Sequence, residues 1–282
     1  MKLTLLFLSI IICTVGCTPD IRLIKGVIWQ PTLDYNTPIG SWDKIGADTI
    51  LVQWTLLEKK AWLGALNHPE WTPSPDWSQI VSQPWAKEII FGLSGDFNML
   101  KARKESAYHM STSLDLSNSI KKLKISNKIR GWYAPIEIDP SWSNTEEIVK
   151  YLEGIPEPLY VSSFVGKFED PKKYAKWVAK WLPKNGNLLF QDSVGTRALN
   201  QRESLLYTNA LVDELGHNRV NVILEAFDIS KENKINSGAL LSLAERLIDY
   251  KRLNIPVYIF SCRYLTRWDV LFLKTYGLAH TF

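Results

Sequence analysis

The chain has 282 residues, of which 46% are hydrophobic and 22% are charged, as in an ordinary globular protein. This composition excludes an intrinsically disordered chain and a protein with many membrane spans. The net charge is +4 and the charged residues are scattered along the chain, so we do not expect a nucleic-acid partner. The 12 tryptophans are about three times the usual number, and we expect some of them to bind a ligand.

The N-terminal residues have the pattern of an export signal. An apolar run over residues 3–13 is too short for a membrane-spanning helix, and small residues stand immediately before Cys17. This ending resembles the lipobox of bacterial lipoproteins, in which the cysteine carries lipid, although Thr14 stands where leucine is usual. The alternative is an ordinary secretory signal followed by a chance cysteine.

The lipobox resemblance implies a signal peptide over 1–16, a short tether over 17–24 and lipidation of Cys17. The mature protein is then exported and held in the bacterial envelope by its N-terminal lipid alone. Thr18, rather than aspartate, follows the cysteine, which resembles lipoproteins that are sorted to the outer membrane. Cys262 is left without a partner, so we expect no disulfide.

From residue 25 to residue 282, short apolar runs alternate with amphipathic stretches. The candidate strands are Gly26–Gln30, Thr49–Trp54, Glu88–Leu93, Arg130–Glu137, Leu159–Phe164, Asn187–Gln191, Val220–Glu225 and Val257–Ser261. Apolar strands that alternate with helices are typical of a parallel sheet covered on its outer face, and eight such units close into a barrel. The sequence therefore predicts one domain over 25–282, a single (β/α)8 TIM barrel of the α/β class.

Three helices are predicted most clearly, all in the second half of the chain. They are Pro171–Leu182 with Asp170 as N-cap, Arg197–Leu215 ending at Gly216, and Ser237–Leu253 with Asn236 as N-cap. In the first half, the segment over 56–77 follows the second strand and is rich in tryptophan and proline. We predict that it forms an elaborated loop on the rim of the barrel, where long loops are usually functional.

The strand ends supply the candidate ligand-binding residues, because active sites of (β/α)8 barrels form at the carboxyl ends of the strands. Aromatic rings stack on the apolar faces of sugars, while amides and carboxylates bind their hydroxyl groups. We therefore predict a carbohydrate ligand bound by Trp29, Gln30, Gln53, Trp54, Asp139, Gln191, Asp192, Phe227, Arg263 and Tyr264. Two structural alternatives stay open: Asp139 shapes the loop before Pro140, and Asp192 caps the following helix.

Glu137 and Glu225 are the candidate catalytic pair. Hydrolysis of a glycosidic bond needs one carboxyl group to protonate the leaving oxygen and a second to attack the sugar or to activate water. The two glutamates end the fourth and seventh predicted strands, which resemble the positions of the acid/base and the nucleophile in the large clan of retaining (β/α)8 glycosidases. The alternative for each is a structural role, as a helix cap or in a salt bridge with Arg130 or Arg263.

Other kinds of catalytic site have little support in the sequence. The histidines show no metal-ligand spacing and there is no Cys-x-x-Cys, so we predict neither a metal site nor a cofactor. Neither a Gly-x-Ser-x-Gly motif nor a glycine-rich phosphate-binding loop occurs.

Several strand-end segments together resemble one family of bacterial barrels. They are Trp29-Gln30-Pro31, Val52-Gln53-Trp54, residues 131–139, residues 190–195 and Glu225-Ala226-Phe227. The family is catalogued as domain of unknown function 4434 and is grouped with glycoside-hydrolase-like barrels. The resemblance implies the same fold and a carbohydrate ligand, and Glu137, Gln191, Asp192 and Glu225 match the segments that look functional in that family.

Three hypotheses about function follow. The leading one is a lipid-anchored glycoside hydrolase, of the retaining type with two glutamates, that acts on a polysaccharide or oligosaccharide in the bacterial envelope. The alternative is a catalytically inactive glycan-binding barrel lipoprotein that serves polysaccharide assembly or export. The third, a purely structural envelope lipoprotein, predicts a barrel mouth plugged by side chains.

Overall fold

The computed structural model describes residues 22–64, 66–142, 144–166, 170–230, 232 and 234–280. Cys17, the predicted signal peptide and most of the predicted tether lie outside these residues, so the predictions made for them stay predictions. Within the described residues, no helix is both long enough and apolar enough to cross a membrane.

Eight parallel strands close into a barrel. They are β1 (Gly26–Trp29), β2 (Thr49–Val52), β3 (Glu88–Gly92), β4 (Ile129–Ile138), β5 (Leu159–Ser163), β6 (Asn187–Gln191), β7 (Val220–Glu225) and β8 (Val257–Phe260). Each strand pairs with the next in the chain, and β8 pairs with β1 to complete the ring. The predicted single (β/α)8 barrel is confirmed, and each predicted strand is found within two residues of its expected ends.

The two faces of the strands have different surroundings, because successive side chains of a strand point to opposite sides. The inward-facing set forms a cluster inside the barrel and consists of Ile28, Leu51, Ile90, Tyr133, Tyr160, Leu189, Ile223 and Tyr258. Outward-facing side chains such as Val27 and Val52 join a larger core between the barrel and its helices. The centre of the barrel is therefore filled, and a binding pocket has to lie at one of its ends.

Helices cover the outside of the barrel. They are α1 (Trp77–Val81), α2 (Met99–Lys104), α3 (Ser106–Ile120), α4 (Thr145–Glu153), α5 (Pro171–Trp181), α6 (Gln201–Leu215), α7 (Leu240–Arg252) and α8 (Arg267–His280). Single 3-10 turns occur over Trp42–Ile45, Lys124–Lys128, His217–Arg219 and Cys262–Tyr264. The predicted helix after β5 is confirmed as α5, in which the Asp170 side chain accepts a hydrogen bond from the Lys173 amide at 3.0 Å.

The predicted start of α6 at Arg197 is wrong. The helix begins at Gln201, and Asn200 caps it in a capping box with Glu203. Arg197 has a φ of +61°, which is incompatible with a right-handed helix, and its guanidinium pairs with Asp228 at 2.7 and 2.8 Å. The local sequence predicts that this segment belongs to the helix. A long-range ion pair instead stabilises it as a loop.

The predicted start of α7 at Ser237, with Asn236 as N-cap, is also wrong. Residues Ile235–Ser237 form a short strand that pairs in antiparallel fashion with Phe227–Ile229, and Asn236 lies opposite Asp228. The helix begins only at Leu240. The hairpin extends from the carboxyl end of β7 and therefore forms part of the barrel mouth.

The segment that follows β2 has its own small structure on the rim. Leu56–Leu57 pairs with Lys60–Ala61 in a tight hairpin and also with Ser94–Gly95, which follows β3. The rings of Trp54 and Trp62 pack with Leu57 in a separate apolar cluster beneath this hairpin. Tryptophan side chains of this segment therefore pack against other residues of the same loop.

Candidate active site

A pocket lies at the carboxyl ends of the barrel strands and encloses about 310 Å³, part of it open to solvent. It is lined by Ile28, Leu51, Gln53, Tyr133, Glu137, Gln191, Ile223, Glu225 and Phe260. The lining comes from β1, β2, β4, β6, β7 and β8, so most of the ring contributes. This is the place in the fold where the sequence predicts the ligand.

Strand alternation explains why four polar side chains meet in this pocket. Each follows an inward-facing residue of its own strand by an even number of positions, in the pairs Leu51 and Gln53, Tyr133 and Glu137, Leu189 and Gln191, and Ile223 and Glu225. Gln53, Glu137, Gln191 and Glu225 therefore form one polar layer above the apolar interior. The structure brings these four predicted site residues together.

Glu137 is half-buried at the end of β4, and its Oε1 accepts a hydrogen bond of 3.0 Å from Gln191 Nε2. Burial raises the pKa of Glu137, and the hydrogen bond from Gln191 only partly opposes this effect. Among the described residues, Glu137 forms no salt bridge, so the salt-bridge alternative finds no support for it. These surroundings therefore favour the protonated form of Glu137 more than solvent would.

Glu225 is only 2% exposed, and its Oε2 accepts a hydrogen bond of 2.8 Å from the Thr196 amide. Burial, together with the negative charge of Asp192, raises its pKa to about 7. The described residues give Glu225 no salt bridge either. The pocket thus contains two carboxyl groups whose protonation can differ near neutral pH.

Asp192 does not reach the pocket. It is fully buried on the outer side of the barrel wall, where it forms an ion pair of 2.5 Å with Arg246 of α7. Its Oδ1 also accepts a hydrogen bond from the Val194 amide at 3.4 Å, so it orders the turn after β6. With no exposed surface, Asp192 cannot contact a sugar directly.

Trp29 and Trp54 also face away from the pocket. Trp29 is fully buried between the barrel and α1, where its ring lies 5.7 Å from that of Trp77 and its Nε1 donates to the Tyr35 carbonyl. Trp54 is 1% exposed, and its ring meets Phe97 edge-on at 5.0 Å. Neither indole has a face free for a ligand, so we leave both out of the proposed binding site.

Asp139 lies just beyond β4 and forms an ion pair with Arg103 of α2. Burial on its own raises the pKa of Asp139, but hydrogen bonds from Ser141 and Arg103 outweigh burial and lower it. Arg103 also donates to the carbonyl oxygen of Glu137 at 3.2 Å. These contacts fit the loop-shaping alternative for Asp139 and place it beside the pocket lining.

The remaining predicted residues surround the pocket at different distances from its lining. The ring of Phe227 lies 6.1 Å from that of Phe260 and 5.9 Å from that of Tyr264. It therefore packs against Phe260, which lines the pocket, without lining the pocket itself. Arg263 donates to Asp34 at 2.8 Å and is tied to the loop after β1. Gln30 directly follows β1 and is half-buried outside the pocket lining.

Tyr133 and Phe260 line the pocket but were absent from the predicted site. The Tyr133 hydroxyl shares a hydrogen bond of 2.7 Å with Ser162, and Phe260 lies opposite Glu225 in the pairing of β7 with β8. The signal that identifies them is alternation, because Tyr133 lies four positions before Glu137 on the same face. Within the described part of the chain, no group of three or more His, Cys, Asp or Glu side chains could hold a metal ion.

Gly195 allows the loop after β6 to approach Glu225. A Cβ added at Gly195 would collide with the Phe227 carbonyl oxygen and lie 2.9 Å from the Glu225 Cβ. We expect Gly195→Ala to displace Glu225, to cost about 1–3 kcal/mol of stability and to reduce any catalytic activity strongly. The measurements are the melting temperature and the rate on one hydrolysed substrate.

The control is Gly216→Ala, at the end of α6, where φ is +88° and nothing lies within 4 Å of the added Cβ. This change is expected to cost about 1–3 kcal/mol through backbone strain and to leave activity unchanged. If Gly195→Ala retains full activity, Glu225 does not depend on this close approach.

The barrel and its strand-end pocket define a structural class, the single (β/α)8 barrels. No family model and no curated protein matches the chain, so its resemblance to domain of unknown function 4434 stays a prediction.

Several solved structures share this fold over most of their length. A proposed alpha-L-fucosidase from Bacteroides thetaiotaomicron has a TM-score of 0.64 and 14% identity, with 94% of this chain and 98% of that chain covered. A chitinase from Chromobacterium violaceum has a TM-score of 0.51 and 11% identity, with coverage of 90% and 99%. The spore cortex-lytic enzyme SleL of Bacillus cereus has a TM-score of 0.50 and 9% identity, with coverage of 93% and 76%. At these identities, the likeness shows the (β/α)8 fold alone.

Proposed function

We propose that this protein is a lipid-anchored glycoside hydrolase that acts on an oligosaccharide or polysaccharide in the bacterial envelope, at the outer membrane. The proposal rests on Glu137 and Glu225, two carboxyl groups with raised pKa values in one strand-end pocket. Raised pKa values allow one carboxyl to be protonated near neutral pH while the other is ionised. The fold shared with a chitinase and a proposed fucosidase supports a carbohydrate substrate.

In the proposed mechanism, Glu137 is the general acid and Glu225 is the nucleophile. Glu137 donates its proton to the leaving oxygen while ionised Glu225 attacks the anomeric carbon, which gives a covalent glycosyl-enzyme. Glu137, now ionised, takes a proton from the water that hydrolyses this intermediate. A retaining enzyme of this kind holds its two carboxyl groups about 5–5.5 Å apart.

The other pocket residues are suited to hold a sugar. Gln53 and Gln191 offer amide donors and acceptors to hydroxyl groups, and the ring of Phe260 offers an apolar surface. Since Gln191 donates to Glu137, it also stabilises the ionised form that Glu137 takes after proton transfer.

One observation favours the alternative, a catalytically inactive glycan-binding barrel that serves polysaccharide assembly or export. The pocket is narrow, since only about 20 Å³ of it is wide enough for the centre of a water molecule. A sugar ring needs more room than this, so hydrolysis requires the rim to open, whereas binding at the rim alone does not.

A digestion panel tests the two functions against each other. The soluble form that begins after Cys17 is incubated with envelope polysaccharides, oligosaccharides and aryl glycosides, and products are followed by mass spectrometry and NMR. Hydrolysis with retained anomeric configuration supports the proposal. Binding without hydrolysis in the same panel supports the alternative, and the absence of both contradicts a carbohydrate ligand.

The anchor gives a separate prediction: Cys17→Ser should release the protein from membranes. Stable attachment depends on the acyl chains at the cysteine, because they supply the apolar area buried in the bilayer. The measurement is membrane fractionation with detection in the soluble and membrane fractions. Cys262→Ser is the matched control, since Cys262 is a buried residue of the barrel and its change should leave attachment intact. A Cys17→Ser protein that still sediments with membranes contradicts lipidation.

A further inference from the structure

A buried ion pair lies directly behind Glu225. Asp192 follows β6 and is 0% exposed, and Arg246 lies on α7 and is 3% exposed. Burying two charges is costly unless their remaining polar atoms find hydrogen bonds, and an apolar pair of the same size is often at least as stable. The partners of this pair therefore indicate what it does.

Both charges are bonded to the backbone of Glu225. Asp192 Oδ1 accepts a hydrogen bond of 3.2 Å from the Glu225 amide, and Arg246 Nη2 donates one of 2.9 Å to the Glu225 carbonyl oxygen. The pair thus holds Glu225 at both polar groups of its main chain, at the point where β7 ends.

The same aspartate shapes the turn that contacts the Glu225 side chain. Asp192 Oδ1 also accepts from the Val194 amide, and this turn leads to Thr196, whose amide donates to Glu225 Oε2 at 2.8 Å. Asp192 therefore acts on Glu225 through the backbone of β7 and through the loop that meets its carboxylate.

We propose that Asp192 and Arg246 are positioning residues that fix Glu225 in the pocket and, through their opposite charges, set the balance between its ionised and protonated forms. This inference rests on the proposed function, in which Glu225 is the nucleophile. A negative neighbour within a few ångströms disfavours a second negative charge, and a positive neighbour favours it.

The surroundings of Glu225 are consistent with this balance. Asp192 faces it from the loop after β6, Arg246 from α7, and Glu137 from across the pocket, while Phe260 on β8 is uncharged. Burial and the Asp192 charge raise the pKa of Glu225, the hydrogen bond from the Thr196 amide and the smaller effect of Arg246 lower it, and the net result is a pKa of about 7.

The test is a carboxyl titration of Glu225 by NMR in the full-length protein with 13C-labelled glutamate. The signal is assigned by its loss in Glu225→Gln. Asp192→Asn keeps the shape and removes the negative charge, so the pKa of Glu225 should fall below its wild-type value. Asp249→Asn makes the same chemical change on the Arg246 helix, away from Glu225, and should leave the pKa unchanged.

Asp192→Asn leaves Arg246 buried without its partner and could prevent folding. The double variant Asp192→Asn, Arg246→Gln is neutral and keeps hydrogen-bonding groups in place, and it should also lower the pKa of Glu225, by less than the single variant. A pKa that is unchanged or raised in a folded variant overturns the inference. Because the titration needs no substrate, a protein that hydrolyses nothing contradicts the proposed function and still leaves this inference open to test.

Where hydrolysis is found, the pH profile provides a second readout. The nucleophile has to be ionised, so kcat/KM should fall as pH drops below the pKa of Glu225. This acid limb should move to lower pH in Asp192→Asn, which a merely structural role does not predict. An acid limb that stays in place in a folded variant contradicts the inference.

Discussion

Glu225→Gln is expected to reduce hydrolysis by on the order of 10⁴-fold or more while the barrel stays folded and still binds glycan. The amide has nearly the shape of the carboxylate, and its oxygen can keep the hydrogen bond from the Thr196 amide. It cannot form the covalent glycosyl-enzyme, so the proposed mechanism stops at its first step. Binding should survive because Gln53, Gln191 and Phe260 are unchanged.

The same variant should change how stability depends on pH. The pKa of Glu225 is raised from 4.5 to about 7 by folding, so the folded protein retains a proton that the unfolded chain releases. Wild-type stability should therefore fall as pH rises from about 4.5 to 7, by up to about 3 kcal/mol, and the variant should lack this loss. Melting temperatures at pH 5 and pH 8 measure the difference.

Glu214→Gln is the matched control, because Glu214 is exposed on α6 and does not line the pocket. It should leave turnover and the pH dependence of melting unchanged. Near-normal turnover in a folded Glu225→Gln protein contradicts the two-glutamate mechanism. Hydrolysis would then depend on a residue other than Glu225, and fully buried Asp192 is not accessible for that role.

The barrel could be predicted because its strands are buried on both faces. Such strands appear in a sequence as short continuous apolar runs, and β6 and β7 were predicted with their observed bounds. The helix starts at Arg197 and Ser237 could not be predicted in the same way. Arg197 pairs with Asp228, which lies 31 residues further along the chain. Ser237 pairs with Phe227 in a hairpin whose strands have three residues each, which is too short to show a strand pattern in the sequence.

Only part of the candidate site could be predicted, because neighbouring residues at a strand end point in opposite directions. Strand ends indicate which residues lie near the pocket, but the face of the strand decides which of two neighbours enters it. Gln53 points in and Trp54 points out, and Gln191 points in while Asp192 points out. Alternation separates these pairs once the structure shows that Leu51 and Leu189 face inward, but a strand that is apolar on both faces does not reveal this in its sequence.

Other features depend on tertiary packing and have no local signal. Arg246 lies 54 residues after Asp192 on an amphipathic helix, and an arginine in such a helix is usually exposed. The high tryptophan content is explained in part by packing. Trp42, Trp85, Trp132 and Trp181 are fully buried, so these large rings fill space between the barrel and its cover and do not line the pocket.

Glu137→Gln is expected to slow hydrolysis by about 10²–10⁴-fold on substrates with a poor leaving group and far less on aryl glycosides with a good one. The reason is that a good leaving group departs with little protonation, whereas a sugar alkoxide needs the proton that Glu137 supplies. Rates on a natural oligosaccharide and on a nitrophenyl glycoside of the same sugar measure this difference.

The second step of the mechanism gives a further test of the role of Glu137. Glu137 also has to accept a proton from water when the glycosyl-enzyme is hydrolysed, so the variant should accumulate this intermediate on a nitrophenyl glycoside. Azide needs no proton removed before it attacks, and adding it should restore turnover in Glu137→Gln but not in Glu225→Gln. Glu147→Gln, on α4, is the control for an amide change elsewhere in the barrel. Equal slowing on good and poor leaving groups, with no effect of azide, would show that Glu137 binds or positions the sugar and is not the proton donor.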